Sequence, residues 1–357
     1  MRLLVLPGDG IGPEITAATL AVLAKTAEIY GFPLEFEQDV VGHESLRQYG
    51  TTVRPELLAR ARAADGLILG PTATFDFRDP AKGEINPSAY FRKNLDLFAN
   101  IRPSRTYPGL PQKLGAFDLV IARENTEGFY ADRNMEQGNA EMLVTEDVVI
   151  SLRRVTRKAC RRIARVAFEI ASERRKHVTA VHKANVLKIG DGMFLEECRA
   201  CQTDFPDIVL DDLIVDAAMA HLVRNAARFD VIVTTNMFGD IISDMTAEAS
   251  GSIGLGGSLN LGEDYAMAQA SHGSAPDIAG QDVANPFSLI LSAAQLLAWY
   301  GSRPQAQAYR AGAEAIGRAV EQATAGKEIT RDIGGKLGTI HAGAALAERI
   351  ANERRGS

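Results

Sequence analysis

The sequence predicts an α/β fold with a largely parallel or mixed sheet. Short apolar runs typical of buried strands alternate with longer stretches at helical spacing from the N-terminus onward, and this βαβα pattern is typical of a sheet covered by helices. More strand-like runs fill the middle of the chain, and three helical stretches close it. A chain of 357 residues, 46% of them hydrophobic, can bury two domain cores or one large one.

Each element follows from local patterning along the chain. Pro13 opens a helix that is predicted to stop near Gly31. The other predicted helices are 55–64, a long basic helix at 151–174 with a solvated face, 285–300, 305–324 and 342–353. Apolar runs predict strands at 2–6, 34–41, 66–70, 117–122, 142–150, 177–182, 208–215 and 229–235. Glycines dominate 250–262 and indicate a loop or a return between domains.

Composition excludes several classes of function. A formal net charge of −6 makes nucleic acid and anionic membranes poor partners, and no apolar run is long enough to span a bilayer. The three cysteines, Cys160, Cys198 and Cys201, are an odd number, which favours the cytoplasm over a disulfide framework. Cys198 and Cys201 form a CxxC within an amphipathic stretch, which favours helix packing over a redox pair.

A glycine-rich stretch, Gly8 to Glu14, lies between the first strand and the first helix. Its GxGxG spacing differs from the GxGxxG of a dinucleotide fingerprint, and Glu14 would repel a pyrophosphate. The spacing alone therefore predicts a tight turn rather than a Rossmann site.

Acidic residues follow two of the predicted strands. Asp240 and Asp244 are four residues apart, so a helix would place both carboxylates on one face. Two such acids repel unless a cation or an arginine lies between them. Their oxygens suit Mg²⁺ or Mn²⁺ better than zinc, whereas the alternative is a helix cap plus a solvated carboxylate. Asp216, at another strand end, offers a third carboxylate.

Three arginines and one loop complete the candidate residues. Arg92, Arg102 and Arg123 lie in FRK, IRP and ARE, and guanidinium groups bind carboxylates in bidentate fashion. Each could equally be a surface ion pair. The stretch HGSAPDIAG, residues 272–280, has small residues and turn formers whose backbone amides could bind a nucleotide, or it is an ordinary surface loop.

Together these stretches resemble the isopropylmalate/isocitrate dehydrogenase family of β-decarboxylating dehydrogenases. The matching segments, in order from Leu6 to Pro286, are LPGDGIGPE, LFANIRP, RENTEG-FY, HKANV, FDVIVTTNMFGDIISD and HGSAPDIAG followed by ANP. The resemblance implies a two-domain fold with a mixed central sheet, not a Rossmann fold. A large cofactor-binding domain would comprise 1–97 plus 251–357, and a small domain, 98–250, would carry the dimer interface and the metal and substrate residues.

The resemblance also implies roles for individual residues. Arg92, Arg102 and Arg123 would bind the carboxylates of a small hydroxy-diacid, and Asp240 and Asp244 would hold Mg²⁺ or Mn²⁺ with Asp216 of the partner subunit in a homodimer with shared active sites. Lys183 of the partner subunit would help remove the hydroxyl proton, and Tyr130 would protonate the carbon left after decarboxylation. The NAD site would be lined by Ile11, His272, Gly273, Ser274, Ala275, Pro276, Asp277, Ile278 and Asn285.

Two features bear on cofactor and substrate choice. Relatives that use NADP place a lysine and a tyrosine where this chain has Asp277 and Ile278, which favours NAD. Asn86 and Ser88 precede Arg92 where isopropylmalate enzymes usually have two leucines, and polar groups fit a polar or small substituent better than a branched alkyl group.

The expected reaction is therefore NAD-dependent oxidative decarboxylation of a 3-substituted malate, of the isocitrate, homoisocitrate or isopropylmalate type, to a 2-oxo acid. The alternatives are a D-malate/tartrate-type dehydrogenase and a non-catalytic regulatory subunit, although the latter should lack the tyrosine, lysine or aspartates. One departure is Gln269-Ala270, where family members commonly carry Glu-Pro or Glu-Ala.

Overall fold

The structure, a computed structural model, describes residues 1–129 and 140–355 of the chain. Its strands are β1 (Arg2–Leu6), β2 (Glu35–Gln38), β3 (Gly66–Leu69), β4 (Ala99–Arg105), β5 (Asp118–Glu124), β6 (Glu141–Thr145), β7 (Val148–Ser151), β8 (His177–His182), β9 (Val209–Ile214), β10 (Val231–Thr234), β11 (Leu259–Leu261) and β12 (Ala266–Gln269). Its helices are α1 (Gly12–Tyr30), α2 (His43–Tyr49), α3 (Glu56–Ala63), α4 (Pro87–Asn94), α5 (Arg157–Ser172), α6 (Gly190–Gln202), α7 (Val215–Asn225), α8 (Asn236–Ser250), α9 (Phe287–Gly301), α10 (Gln307–Ala325) and α11 (Thr339–Arg355).

Ten strands form one mixed sheet in the order β2-β1-β3-β12-β11-β4-β5-β10-β8-β9. Strands β2, β1, β3 and β12 are parallel to one another, as are β5, β10, β8 and β9. Strands β11 and β4 pair antiparallel and join the two groups. This confirms the predicted α/β fold with a mixed central sheet, and the strand order differs from the 3-2-1-4-5-6 order of a Rossmann sheet.

The buried side chains form four clusters around this sheet. Two clusters draw mainly on the N-terminal and C-terminal thirds, with α1, α9 and α10 supplying much of the larger one. The other two draw on the middle of the chain, around α5, α6, α7 and α8. The boundaries at 97/98 and 250/251 remain a prediction, since one sheet runs through both parts.

Several predicted elements differ from the structure at identifiable points. Residues 142–150 are not one strand but the hairpin of β6 and β7. The basic helix does not begin at Ser151; it begins at Arg157, where the Thr156 hydroxyl accepts the amide of Ala159 at 3.2 Å. Strand β11 lies within the glycine-rich stretch that was predicted to be a loop or a return between domains, and β12 follows that stretch. Neither strand was predicted, because three or four residues carry little periodicity. Helix α1 ends at Gly31 as predicted, with φ 73°.

The cysteines lie in the core. All three are free and buried, and Cys198 and Cys201 lie on α6, as the packing interpretation predicts. Burial raises the pKa of Cys160 to about 12 and that of Cys201 to about 11, so thiolate chemistry is suppressed. Among the described residues, no helix combines the length and the apolar character that crossing a membrane requires.

Candidate active site

Arg123 is brought to helix α8 by strand register and by one glycine. At the end of β5 it pairs with Thr234, the last residue of β10, and α8 begins two residues later. A Cβ on Gly239 would lie 2.6 Å from Cγ of Arg123. Only glycine therefore lets this buried guanidinium pass beneath the helix, where its Nε donates to the carbonyl of Asn236 at 2.9 Å.

The aspartates of α8 share one helix face, as their four-residue spacing predicts, and two arginines lie against this face. Arg123 forms an ion pair with Asp240. Nη1 of Arg102 lies 2.8 Å from Oδ1 of Asp244 and 3.3 Å from Oδ1 of Asp240. Burial raises the pKa of Asp244; Arg102 acts against this rise and Asp240 adds to it. The arginines thus offset the repulsion between two carboxylates on one helix face.

The donor set of this cluster suits a hard divalent cation. Asp240 and Asp244 offer carboxylate oxygens, with 35% and 47% of their side chains exposed, so a cation can reach them. Across residues 1–129 and 140–355, no three His, Cys, Asp or Glu side chains gather into a metal-binding group. Asp216 contributes instead to a different ion pair.

Lys183 and Asp216 lie together at the ends of neighbouring strands. Lys183 directly follows β8. Asp216 was predicted at a strand end; it lies in the first turn of α7, two residues after the last residue of β9. Nζ of Lys183 lies 2.5 Å from Oδ1 of Asp216, and this hydrogen bond lowers the pKa of Asp216. The structure therefore pairs the two residues for which the resemblance implies donation to a partner. Tyr130 lies outside the described residues.

Arg92 and Ser88 converge on the side chain of Gln269. Nη2 of Arg92 donates to Oε1 of Gln269 at 3.0 Å, and Oγ of Ser88 donates to the same oxygen at 3.1 Å. Asn86 is the N-cap of α4, where its Oδ1 accepts the amide of Ala89 at 3.1 Å. Part of its polarity thus serves the helix rather than a ligand.

Asp191 is a residue of this site that the sequence analysis missed. It is fully buried on α6, and its Oδ2 accepts the backbone amide of Lys183 at 2.6 Å. Its Oδ1 accepts Nη2 of Arg153, also at 2.6 Å, and the same nitrogen donates to Thr235, the N-cap residue of α8, at 3.2 Å. An aspartate eight residues after the lysine carries no sequence signal of this contact, which depends on a loop folding back.

Asp191→Ala is expected to lower the free energy of unfolding by about 3–5 kcal/mol, because it leaves a largely buried Arg153 unpaired. Urea unfolding measures the change. Asp204→Ala removes the exposed partner of Arg165 and should change stability little. Equal effects of the two substitutions would contradict a special role for the buried pair.

The predicted nucleotide loop packs against the glycine-rich turn after β1. The amide of Ile11 donates to the carbonyl of Ser274 at 2.8 Å, and a Cβ on Gly10 would lie 1.9 Å from that oxygen. The carboxylate of Asp9 accepts the amides of His43 and Ala73. The stretch thus forms the tight turn that its spacing predicts, and it organises three loops.

Two clefts flank this loop. One of about 310 Å³ is lined by six of the predicted cofactor residues, namely Ile11, His272, Gly273, Ala275, Ile278 and Asn285. The other, of about 270 Å³, is lined by Ser274 and Pro276. Asp277 is exposed and lines neither cleft.

Asp332, which the sequence analysis missed, lines the first cleft and accepts Nδ2 of Asn285 at 3.0 Å. Burial lowers the pKa of His272, which favours a neutral imidazole.

Comparison with known proteins agrees over nearly the whole chain. The family model described as isocitrate/isopropylmalate dehydrogenase matches residues 2–349. The 3-isopropylmalate dehydrogenase of Archaeoglobus fulgidus is 39% identical over 95% of this chain and 96% of its own length. The isocitrate/homoisocitrate dehydrogenase of Thermus thermophilus is 39% identical over 86% and 87%. The crystal structure of isocitrate dehydrogenase from Methylococcus capsulatus matches with a TM-score of 0.85 and 37% identity, covering 98% of this chain and 99% of that one.

Proposed function

This chain belongs to the isocitrate/isopropylmalate dehydrogenase family, and we propose that it uses NAD and Mg²⁺ or Mn²⁺ to convert a 3-substituted malate to a 2-oxo acid. The family match makes it a dehydrogenase of the isopropylmalate/isocitrate type, which confirms the resemblance seen in its motifs. Members of this family act on small hydroxy-acid substrates. We propose the identity of the cofactor, of the metal and of the substrate, and the roles of the individual residues.

The observation that carries the proposal is the convergence of Arg102 and Arg123 on Asp240 and Asp244. The arginines would bind the substrate carboxylates and hold the diacid beside the aspartates. Asp240 and Asp244 would hold the divalent cation, which would supply Lewis-acid stabilisation of negative charge on the substrate oxygen. Ile11 and the 272–278 loop, which line the two clefts, would hold NAD, and NAD would supply the hydride acceptor.

Proton transfers fall to two further side chains. Lys183 of the partner subunit would accept the proton of the hydroxyl group. Tyr130 would donate a proton to the carbon that loses carbon dioxide. Asp191 supports the first role by holding the backbone of Lys183 in place.

Exposed apolar side chains support a homodimer with shared sites. Both strands of the β6–β7 hairpin expose large apolar residues, among them Leu143 at 70% and Val149 at 58%. Further exposed apolar residues adjoin the proposed catalytic groups, including Ile189 at 85% and Ile241 at 54%. Surfaces of this kind mark interaction sites, and a second copy of the chain covering them would bring Lys183 and Asp216 of the partner subunit towards α8.

The test is an absorbance assay for NADH with NAD, Mg²⁺ or Mn²⁺ and a panel of diacids. The panel comprises isocitrate, homoisocitrate, isopropylmalate, D-malate and tartrate. Polar Ser88 near Arg92 favours a polar or small 3-substituent over isopropyl. Turnover of D-malate or tartrate alone would select the alternative dehydrogenase, and no turnover of any diacid would contradict the proposal in favour of a regulatory subunit.

Discrimination between NAD and NADP is expected to depend on Asp277 and Ile278. A carboxylate can accept hydrogen bonds from both ribose hydroxyls and repels a 2′-phosphate, which gives NAD a preference of roughly tenfold or more in kcat/KM. Asp277→Lys combined with Ile278→Tyr should move the ratio towards NADP. Asp264→Lys makes the same charge change at an exposed residue before β12 and should leave the ratio unchanged. A wild-type enzyme that prefers NADP would end this idea.

A further inference from the structure

Gln269 occupies the junction between the substrate arginines and the nucleotide loop. It is the last residue of β12, with 7% of its surface exposed, and the 272–278 loop follows three residues later. Its Oε1 accepts hydrogen bonds from Arg92 and Ser88. Because a guanidinium group only donates, the side-chain atom that faces Arg92 must be the oxygen. The orientation of the carboxamide is therefore fixed by its partners.

The backbone of Gln269 is held as firmly as its side chain. Its amide donates to the carbonyl of Ser258 at 3.1 Å, and its carbonyl accepts the hydroxyl of Ser292 at 3.0 Å. Because Gln269 is buried and is bonded at its amide, its carbonyl and its side chain, it has little freedom to move with Arg92 or Ser88. Arg92 and Ser88 are thus tied to the sheet rather than only to α4.

The same network reaches the second arginine. Oγ of Ser258 accepts Nδ2 of Asn100 at 2.9 Å, and Oδ1 of Asn100 accepts Nε of Arg102 at 2.7 Å. Asn100 and Ser258 are both buried. Hydrogen bonds of the buried residues Gln269, Ser258 and Asn100, joined through the covalent structure of each residue, therefore connect Arg92 to Arg102. Such networks hold their members in defined positions.

We propose that Gln269 is a positioning residue, which fixes Arg92 and Ser88 for a substrate carboxylate without adding negative charge to them. The inference rests on the proposed function, in which Arg92 binds the diacid. A neutral oxygen satisfies one donor of the guanidinium without placing a negative charge beside it. A carboxylate at this place would form an ion pair with Arg92 and compete with the substrate for it.

The test is Gln269→Glu, which keeps the shape of the side chain and its acceptor oxygen while adding a charge. KM for the diacid should rise roughly tenfold, whereas kcat and KM for NAD should change less than about twofold. Gln322→Glu makes the same substitution at an exposed residue of α10 and should alter none of the three constants. A Gln269→Glu enzyme with the wild-type KM for the diacid would overturn the inference.

A double-mutant cycle with Arg92→Ala separates this mechanism from a general disturbance of the site. If Gln269 acts through Arg92, Gln269→Glu should change KM for the diacid less than about twofold in the Arg92→Ala background. An undiminished effect there overturns the inference. The cycle also keeps the two proposals apart, because an unchanged KM in Arg92→Ala alone contradicts the substrate role of Arg92 that the proposed function assigns.

Should Gln269→Glu unfold at a lower temperature, Gln269→Met supplies the second arm of the test. Methionine keeps the length of the side chain but offers no strong acceptor to Arg92 and Ser88, and it adds no charge. KM for the diacid should rise while kcat is retained. A folded Gln269→Met enzyme with the wild-type KM overturns the positioning role.

Discussion

Asp240→Asn is expected to reduce turnover roughly a thousandfold or more, and exhaustive chelation of divalent cations should abolish activity until Mg²⁺ or Mn²⁺ is restored. The substitution weakens a proposed metal ligand and also the ion pair with buried Arg123. It therefore alters both metal binding and the ion pair, so the free energy of unfolding must be measured together with kcat.

Asp244→Asn is the cleaner variant, because Asp244 forms an ion pair with Arg102, whereas Asp240 forms ion pairs with both Arg102 and Arg123. The readouts are kcat and the affinity for Mn²⁺ measured by calorimetry. Asp207→Asn, at an exposed residue beside Lys176, is the matched control and should alter neither. Activity that survives chelation would contradict the metal proposal.

Mixing two inactive variants is expected to restore activity to about a quarter of the wild-type value. Lys183→Ala disables the group that a subunit would donate to its partner's site, and Asp244→Ala disables the site on its own subunit. Random exchange of an equal mixture makes about half of the dimers mixed, and each mixed dimer then has one intact site of two. The NADH assay before and after subunit exchange measures the recovery.

The same design contains its own control. Lys183→Ala and Asp216→Ala both alter donated groups, which bond to each other at 2.5 Å. A mixed dimer of these two variants has one defect in each site and should remain inactive. Recovery in both mixtures, or in neither despite proven exchange, would contradict shared sites of this composition.

The sequence predicted several of the strongly patterned elements, but it missed others, among them strand β4 and helix α7. Strand β8 has the predicted bounds, and all of its residues except His177 are buried. The hairpin of β6 and β7 escaped prediction because its turn, Glu146-Asp147, contains neither glycine nor proline. Strands β11 and β12 exist through pairing with β3 and β4 rather than through their own propensity.

For the site, the sequence supplied residue types but not partners. The spacing of Asp240 and Asp244 predicted a shared helix face, and the structure adds the arginines that neutralise them. Nothing in the pattern pointed to Asp191, because its contact with Lys183 arises from the fold of a loop. Gln269 stood out only as a departure from the family, and its bond to Arg92 gives that departure a physical meaning.

The narrow seam in the middle of the sheet has a mechanical consequence. The sheet joins its two parallel groups through the pairing of β11 with β4, which in the described residues spans three residue pairs, Leu259 with Ile101, Asn260 with Asn100 and Leu261 with Ala99. Bending of one group against the other would therefore twist this short ladder, since the sheet has no flexible linker at that point. Asn100 belongs to the ladder and also bonds to Arg102. Any such bending would therefore also displace the guanidinium group of Arg102, to which the proposed function assigns a substrate carboxylate.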